Sequence, residues 1–352
     1  MTNINRTEIA KFDADGMLQK ILEFPEQLKH ALDLARSTKV SLNNEKIQNI
    51  CVCGMGGSAI GGDLVRSCLN NQLNIPFFVN RYYQVPNFIN ESSLVIVCSY
   101  SGNTEETLAA YEDAYQRKAQ IICVTSGGTL GDKAALNNHP IFSAPPGYPP
   151  RAALGYLLVP ILYCLFLTGQ IANPESDILE TIEVLENLAT EYDPDEKDNF
   201  AKQISRSLKG KIPLVYASIA GFEPVTWRWK GQLSENSKVL AFSNVFPELN
   251  HNEVMGWGPL DDLNNKFKII YLKDRDDHSQ ITKRMELTRK IVEKHTGDSI
   301  IEIKSRGESL LTRMFSLIYL GDLVSLYLAV ENQVDPTSIE NIDFLKQGLL
   351  AA

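Results

Sequence analysis

Histidine is scarce in this chain: there are five in 352 residues, and no two stand at the four-residue spacing of a helical metal pair beside an acid. Positive charge is also in the minority, with 34 Lys and Arg against 43 Asp and Glu and a formal net charge of −9. An acidic chain has no electrostatic reason to bind DNA, RNA or an anionic membrane, although a local basic pocket for a small anion is compatible with it. The six cysteines, Cys51, Cys53, Cys68, Cys98, Cys123 and Cys164, fit neither a zinc spacing nor a disulfide ladder. Four of them lie in apolar runs, where Cys acts as a small buried hydrophobe. Long apolar runs are missing too. The longest, Leu154–Leu167, is short of the roughly 20 residues that span a bilayer, and it contains Pro160. The opening MTNINRTEIAKFD is polar and carries no apolar secretory segment. These absences point to a reduced, cytoplasmic, soluble protein with no nucleic-acid or membrane partner.

What is present is ordinary globular composition, 44% hydrophobic and 22% charged, which excludes a disordered, collagen-like or disulfide-stapled chain. At roughly 150 residues per domain the length favours two domains. Residues 1–45 read as helices, with a helical period over 17–34 broken around Pro25. Short apolar runs ending in Gly, Ser or Asn follow at 48–54, 76–80, 94–99 and 121–125, each leading into a helical pattern. The same grammar restarts at 212–217, 238–243, 267–272 and 299–304, with strong helices over 279–294 and 308–331. Strands alternating with helices imply βαβ units and parallel sheets. The expected fold is α/β, two flavodoxin-like, doubly wound halves over 1–160 and 196–352, joined by acidic helices over 161–195.

Two loops after strands carry chemistry. Gly54-Met-Gly-Gly57-Ser58-Ala59 opens a helix directly after a strand, so free backbone N–H groups can face an anion. Gly54, Gly56 and Ala59 formally satisfy a dinucleotide fingerprint. The acidic partner expected about 20 residues on is missing, because the second strand ends in Asn80-Arg81. The second loop, Ser99-Tyr-Ser101-Gly-Asn-Thr104, concentrates three hydroxyls and a glycine where a strand meets a helix. That suits a phosphate monoester, with hydroxyl donors, backbone N–H groups and a positive dipole end. Its plainer alternative is a capping box formed by Asn103 and Glu106.

GMGGSAIGGD, SYSGNTEET and VTSGG together resemble the sugar isomerase (SIS) domain. PPGYPPRAALGY and LSENSKVLAFSNVFPELNHNEVMGW narrow the resemblance to the bifunctional phosphoglucose/phosphomannose isomerases, which are built from two SIS-type subdomains. The resemblance runs from about Gly54 to Lys346. It implies phosphate binding by Gly57, Ser58, Ser99, Ser101 and Thr104, and an enediolate-stabilising guanidinium on Arg151. It implies Glu235 as catalytic base, His251 as the ring-opening group and Lys346 as the lysine near the carboxyl terminus. It also implies a homodimer with a shared active site, a sugar phosphate as substrate, and neither metal nor cofactor.

The residue types suit that chemistry. A carboxylate can take a carbon-bound proton from C2 and return it to C1. An always-charged Arg favours the intervening enediolate, and a His donates to the ring oxygen near neutral pH. The rival expectation is a catalytically silent SIS protein that binds a sugar phosphate and regulates another process. Such a protein needs the hydroxyl loop but neither Glu235 nor His251. His139, His278 and His295 read as turn or surface residues.

Overall fold

Five short strands form a sheet whose three middle members are almost entirely buried. The five are β1 (Asn49–Cys53), β2 (Phe77–Asn80), β3 (Ser93–Cys98), β4 (Gln120–Thr125) and β5 (Ile141–Ser143). Every residue of β3 is buried, as expected for a central parallel strand. The order is β2-β1-β3-β4-β5 and every pairing is parallel. This is the doubly wound, flavodoxin-like order, in which ligands bind where β1 and β3 diverge at their carboxyl ends. The register places Cys53 opposite both Asn80 and Val97, so the loops after β1 and β3 leave the sheet side by side. On one face, Cys51, Cys53, Val95, Val97 and Cys123 pack against Ala110, Tyr111 and Ala114 of the helix Glu105–Gln116. The six thiols are free, and burial pushes that of Cys123 up to about 12, so these sulfurs act as packing groups.

The computed structural model describes residues 4–40, 42, 47–197, 199–258 and 261–350. The chain folds as two compact units. The first comprises Glu23–Glu186 with Gly307–Thr312, and the second comprises Met1–Leu22, Asn187–Arg306 and Arg313–Ala352. These limits differ from the sequence-based 1–160, 161–195 and 196–352. The start of the chain belongs with the second unit because Arg6 pairs with Asp193 and, at 3.3 Å, with Asp195. The turn at 307–312 belongs with the first, since the Glu180 carboxylate accepts from the N–H of Ser309 at 3.0 Å and Thr181 bonds Thr312 at 2.9 Å. Pro25 does break the first helical stretch, standing in the opening turn of Phe24–Ser37, where its missing N–H costs nothing.

In the second unit the strands are β6 (Ile212–Ser218), β7 (Phe242–Phe246), β8 (Phe267–Lys273) and β9 (Ile301–Lys304), in the order β7-β6-β8-β9, again all parallel. The first four strands of each unit thus share one winding. Tyr216, Phe246 and Tyr271 of the sheet form a core with Met285 and Val292 of the helix Ser279–Thr296. That helix ends at Gly297 in the left-handed region, φ 64°.

One strand expectation shifts by a whole turn of chain, and one strand is unexpected. β7 begins four residues later than 238 because Lys238 adopts φ 57° and Leu240 is 67% exposed, so the chain is still turning there. β5 has three residues and is too short for its pattern to register. The helix Leu310–Glu331 has the length and composition of a membrane span, and its most apolar 18-residue window is entirely buried in the structure.

Candidate active site

In the first unit the loops after β1, β3 and β4 and the Pro-rich loop converge at the carboxyl edge of the sheet. Gly57 lets two of them touch: a β-carbon there would lie 2.7 Å from the carbonyl oxygen of Pro150 and 3.0 Å from the N of Arg151. Hydrogen is the one substituent that this approach tolerates. No side chain caps the helix Gly56–Cys68, which begins here. Ser58 is buried, and its Oγ accepts from the N–H of Tyr100 at 3.1 Å, which ties the first loop to the second.

Within the second loop, buried Ser99 donates its hydroxyl to Thr104 Oγ1 at 3.1 Å, and Ser101 Oγ accepts from the N–H of Asn103 at 3.3 Å. The capping-box alternative does not form. The helix Glu105–Gln116 has Thr104 at its cap position with no side-chain capping bond, and Asn103 Oδ1 accepts instead from the N and Oγ1 of Thr129, both at 3.0 Å. Asn103 therefore latches the loop to the one after β4. Gly102, φ 70°, completes the latch, because a β-carbon there would fall 1.8 Å from the Gly127 carbonyl. The hydroxyls of Ser99, Ser101 and Thr104 are thus left at an uncapped helix start, an arrangement able to bind an oxyanion.

Arg151 is 4% exposed on the single 3₁₀ turn Pro150–Ala152. Gln27 and Tyr100 hold that turn and the loop before it. The buried Gln27 donates to the Ala152 carbonyl at 2.8 Å and accepts from the Gly155 N–H at 2.7 Å. Tyr100 donates its phenol to the Pro145 carbonyl at 2.6 Å and accepts from the Tyr148 N–H at 3.0 Å. Burial raises the Tyr100 phenol, which keeps it a neutral donor. At the end of β2, where a dinucleotide site would place its carboxylate, Arg81 pairs instead with Asp63 of the helix Gly56–Cys68.

The remaining expected residues lie in the second unit. Glu235 ends the helical segment Ile219–Glu235, which kinks at Ala220 and Gly221. It lines a cleft of about 540 Å³ with Ser234, Lys238, Val334, Ser338 and Ile339. A buried polar seam fixes this segment against Leu310–Glu331. Trp229 donates to the Leu317 carbonyl at 2.9 Å, Arg228 and Gln232 reach the Asp322 carboxylate at 2.6 and 2.9 Å, and Asn236 reaches Ser325 at 2.9 Å. His251 is exposed on the 3₁₀ turn Glu248–His251 after β7. Lys346 is exposed on the helix Glu340–Leu350, one turn beyond the Ile342 that lines the cleft, and does not itself line it. The structure therefore gathers Gly57, Ser58, Ser99, Ser101, Thr104 and Arg151 in one unit and places Glu235, His251 and Lys346 on three separate elements of the other.

The second sheet does not repeat the hydroxyl loop. Where β3 is followed by Ser99-Tyr-Ser101, the corresponding β8 is followed by Asp274, Asp276 and Asp277. Arg313 engages Asp274 at 2.9 Å and Asp276 at 2.8 Å, so this loop is an ion-pair cluster and not an anion cradle.

Sequence reading missed Gln27, Tyr100 and Asp322. Gln27 meets its partners across more than a hundred residues of chain, and no local pattern marks it. Tyr100 lies inside the hydroxyl loop, but it braces the backbone of Pro145 and Tyr148, and backbone partners leave no mark in the sequence.

Comparison with known proteins bears on the family and the fold. Residues 32–145 match the SIS domain, and residues 197–349 match the bacterial phospho-glucose isomerase C-terminal SIS domain. A bifunctional phosphoglucose/phosphomannose isomerase of Caldicellulosiruptor bescii is 42% identical over 335 residues, covering 95% of this chain and 98% of that protein. The Aquifex aeolicus protein of the same name is 36% identical over 304 residues, 86% of this chain and 90% of its own length. Among solved structures, the C-terminal domain of a glucosamine-fructose-6-phosphate aminotransferase from Francisella tularensis has the same fold, with TM-score 0.68 at 18% identity over 91% of this chain and 97% of that domain. With near end-to-end similarity to such enzymes and two sheets wound alike, the chain belongs to the bifunctional phosphoglucose/phosphomannose isomerase family.

Proposed function

We propose that this isomerase interconverts glucose 6-phosphate and mannose 6-phosphate with fructose 6-phosphate, without metal or nucleotide, as a cytoplasmic homodimer with a shared active site. The observation that carries the substrate class is the loop Ser99–Thr104, whose hydroxyls stand at a helix start that no side chain caps. Ser58, Ser99, Ser101 and Thr104, with the backbone at Gly57, hold the phosphate. His251 donates a proton to the ring oxygen as the sugar opens. Glu235 then takes the C2 proton, the carbonyl oxygen at C1 gains the charge, and the Arg151 guanidinium stabilises that enediolate. The hydroxyl proton of the enediol passes from O2 to O1, which moves the charge to O2, and returning the carbon-bound proton from Glu235 to C1 then gives the ketose. The reverse transfer to either face of C2 gives the glucose or the mannose epimer, and Lys346 assists near the sugar hydroxyls.

A coupled assay on fructose 6-phosphate, scoring glucose 6-phosphate and mannose 6-phosphate separately, tests the reading. Both products are expected in the presence of a chelator and without added nucleotide. Tight binding of fructose 6-phosphate with neither product formed would favour the silent regulator instead, and activity restored only by zinc would refute the metal-free route.

A further inference from the structure

Two residues beyond His251, the Glu253 carboxylate is gripped from two strands. The phenol of Tyr216, on β6, donates to Oε1, and Asn244 Nδ2, on β7, donates to Oε2 at 2.6 Å. Tyr216 is fully buried among rings, with Phe246 and Tyr271 at centroid distances of 6.2 and 6.1 Å, so it cannot follow a moving carboxylate. Asn244 is oriented as a donor because its Oδ1 accepts from the N–H of Val245 at 2.8 Å. A carboxylate is the acceptor-only group that satisfies both donors; a glutamine in its place would set an amide NH₂ against one of them.

The rest of the segment is also tied down. Leu249 is buried, Asn250 donates to Thr288 at 2.8 Å, and Asn252 donates to Glu248 at 2.8 Å while accepting from the Glu253 N–H at 2.5 Å. His251 is the exposed tip of this anchored strip. A four-residue 3₁₀ turn has little rigidity of its own, so its geometry is set by such anchors.

We infer that Glu253 is a positioning residue that holds the His251 imidazole in place for ring opening, with Tyr216 and Asn244 as its fixed points. The inference rests on the ring-opening role given to His251 above. Steady-state kinetics on fructose 6-phosphate test it with Glu253→Gln, Tyr216→Phe, His251→Ala and the double variant Glu253→Gln/His251→Ala. Misplacing a reacting group by about 1 Å can cost on the order of 10²-fold. Glu253→Gln and Tyr216→Phe are therefore expected to lower kcat by about 10- to 100-fold with KM unchanged. The double variant is expected to be no slower than His251→Ala alone, because the two residues act as one unit. Losses that multiply in full, or a wild-type kcat in both single clamp variants, would overturn the inference. A wild-type kcat in His251→Ala would instead remove the role of His251 and the inference with it, an outcome told apart by that one variant. Tyr216→Phe removes a single hydroxyl, so it carries the test should Glu253→Gln fail to fold, with circular dichroism checking both.

Discussion

Glu235→Gln keeps the size and shape of the side chain while removing the proton acceptor, so it isolates one step. General-base catalysis contributes about 10²–10⁴-fold, and kcat is expected to fall by that much while fructose 6-phosphate binding, measured by calorimetry, stays near wild type. A folded variant that turns over at the wild-type rate would exclude Glu235 as the base. The hydroxyl loop makes the opposite prediction. Hydrogen bonds to a charged group contribute about 1.5–3 kcal/mol each, so Ser101→Ala with Thr104→Ala should lower kcat/KM about a hundredfold or more. An unchanged double variant would reduce the loop to a structural turn. At this scale the candidate site was partly legible. Ser58, Ser99 and Thr104 stand beside strand ends and glycines, and their types match an anion. Gln27 was not legible, because a buried amide serving one turn of backbone leaves no periodicity, charge pattern or motif behind.

Among elements, the segment Ile219–Glu235 depends most on groups that its own sequence does not reveal. It meets Leu310–Glu331 through side chains that are polar yet buried: Arg228 and Asp322 are 6% and 5% exposed. Removing one partner of such a pair costs about 3–5 kcal/mol, because a charge stays behind in the interior. Asp322→Ala is therefore expected to lose about that much in urea unfolding. A loss below about 1 kcal/mol, the usual range of an exposed pair, would contradict this account. The strands were legible for the converse reason. β1, β3 and β4 are buried on both faces, so nearly every position is apolar and bounded by turn residues. β7 was displaced because Val239-Leu240-Ala241 is as apolar as a strand but follows the left-handed Lys238, where the backbone cannot yet pair.

For the molecule as a whole, the proposed sharing of a site between protomers has a direct consequence. Glu235→Gln and His251→Ala proteins, each inactive alone, should regain part of the activity when mixed under conditions of subunit exchange. Confirmed exchange with no recovery would assign both groups to one protomer. The alternation of strands and helices announced the two similar windings. The unit limits were less visible, because the early helices and the turn at 307–312 are assigned by ion pairs and carboxylate hydrogen bonds such as Arg6–Asp195 and Glu180–Ser309, which have no local signature.

The carboxylates after β8 give this internal duplication a polarity. The loop after β3 carries hydroxyls at a helix start, whereas the loop after β8 reads Asp274-Arg275-Asp276-Asp277, with Arg313 already paired to Asp274 and Asp276. With the phosphate site proposed above, two copies of one winding would supply a single anchor, and a sugar carrying one phosphate has one end by which it can be held. Titration with inorganic phosphate is expected to saturate at one equivalent per chain, and Asp274→Ser is not expected to add a second, since Arg313 and Asp276 remain paired there. On the proposed phosphate site, duplicated architecture becomes a direction sense, and the substrate is read from one terminus only.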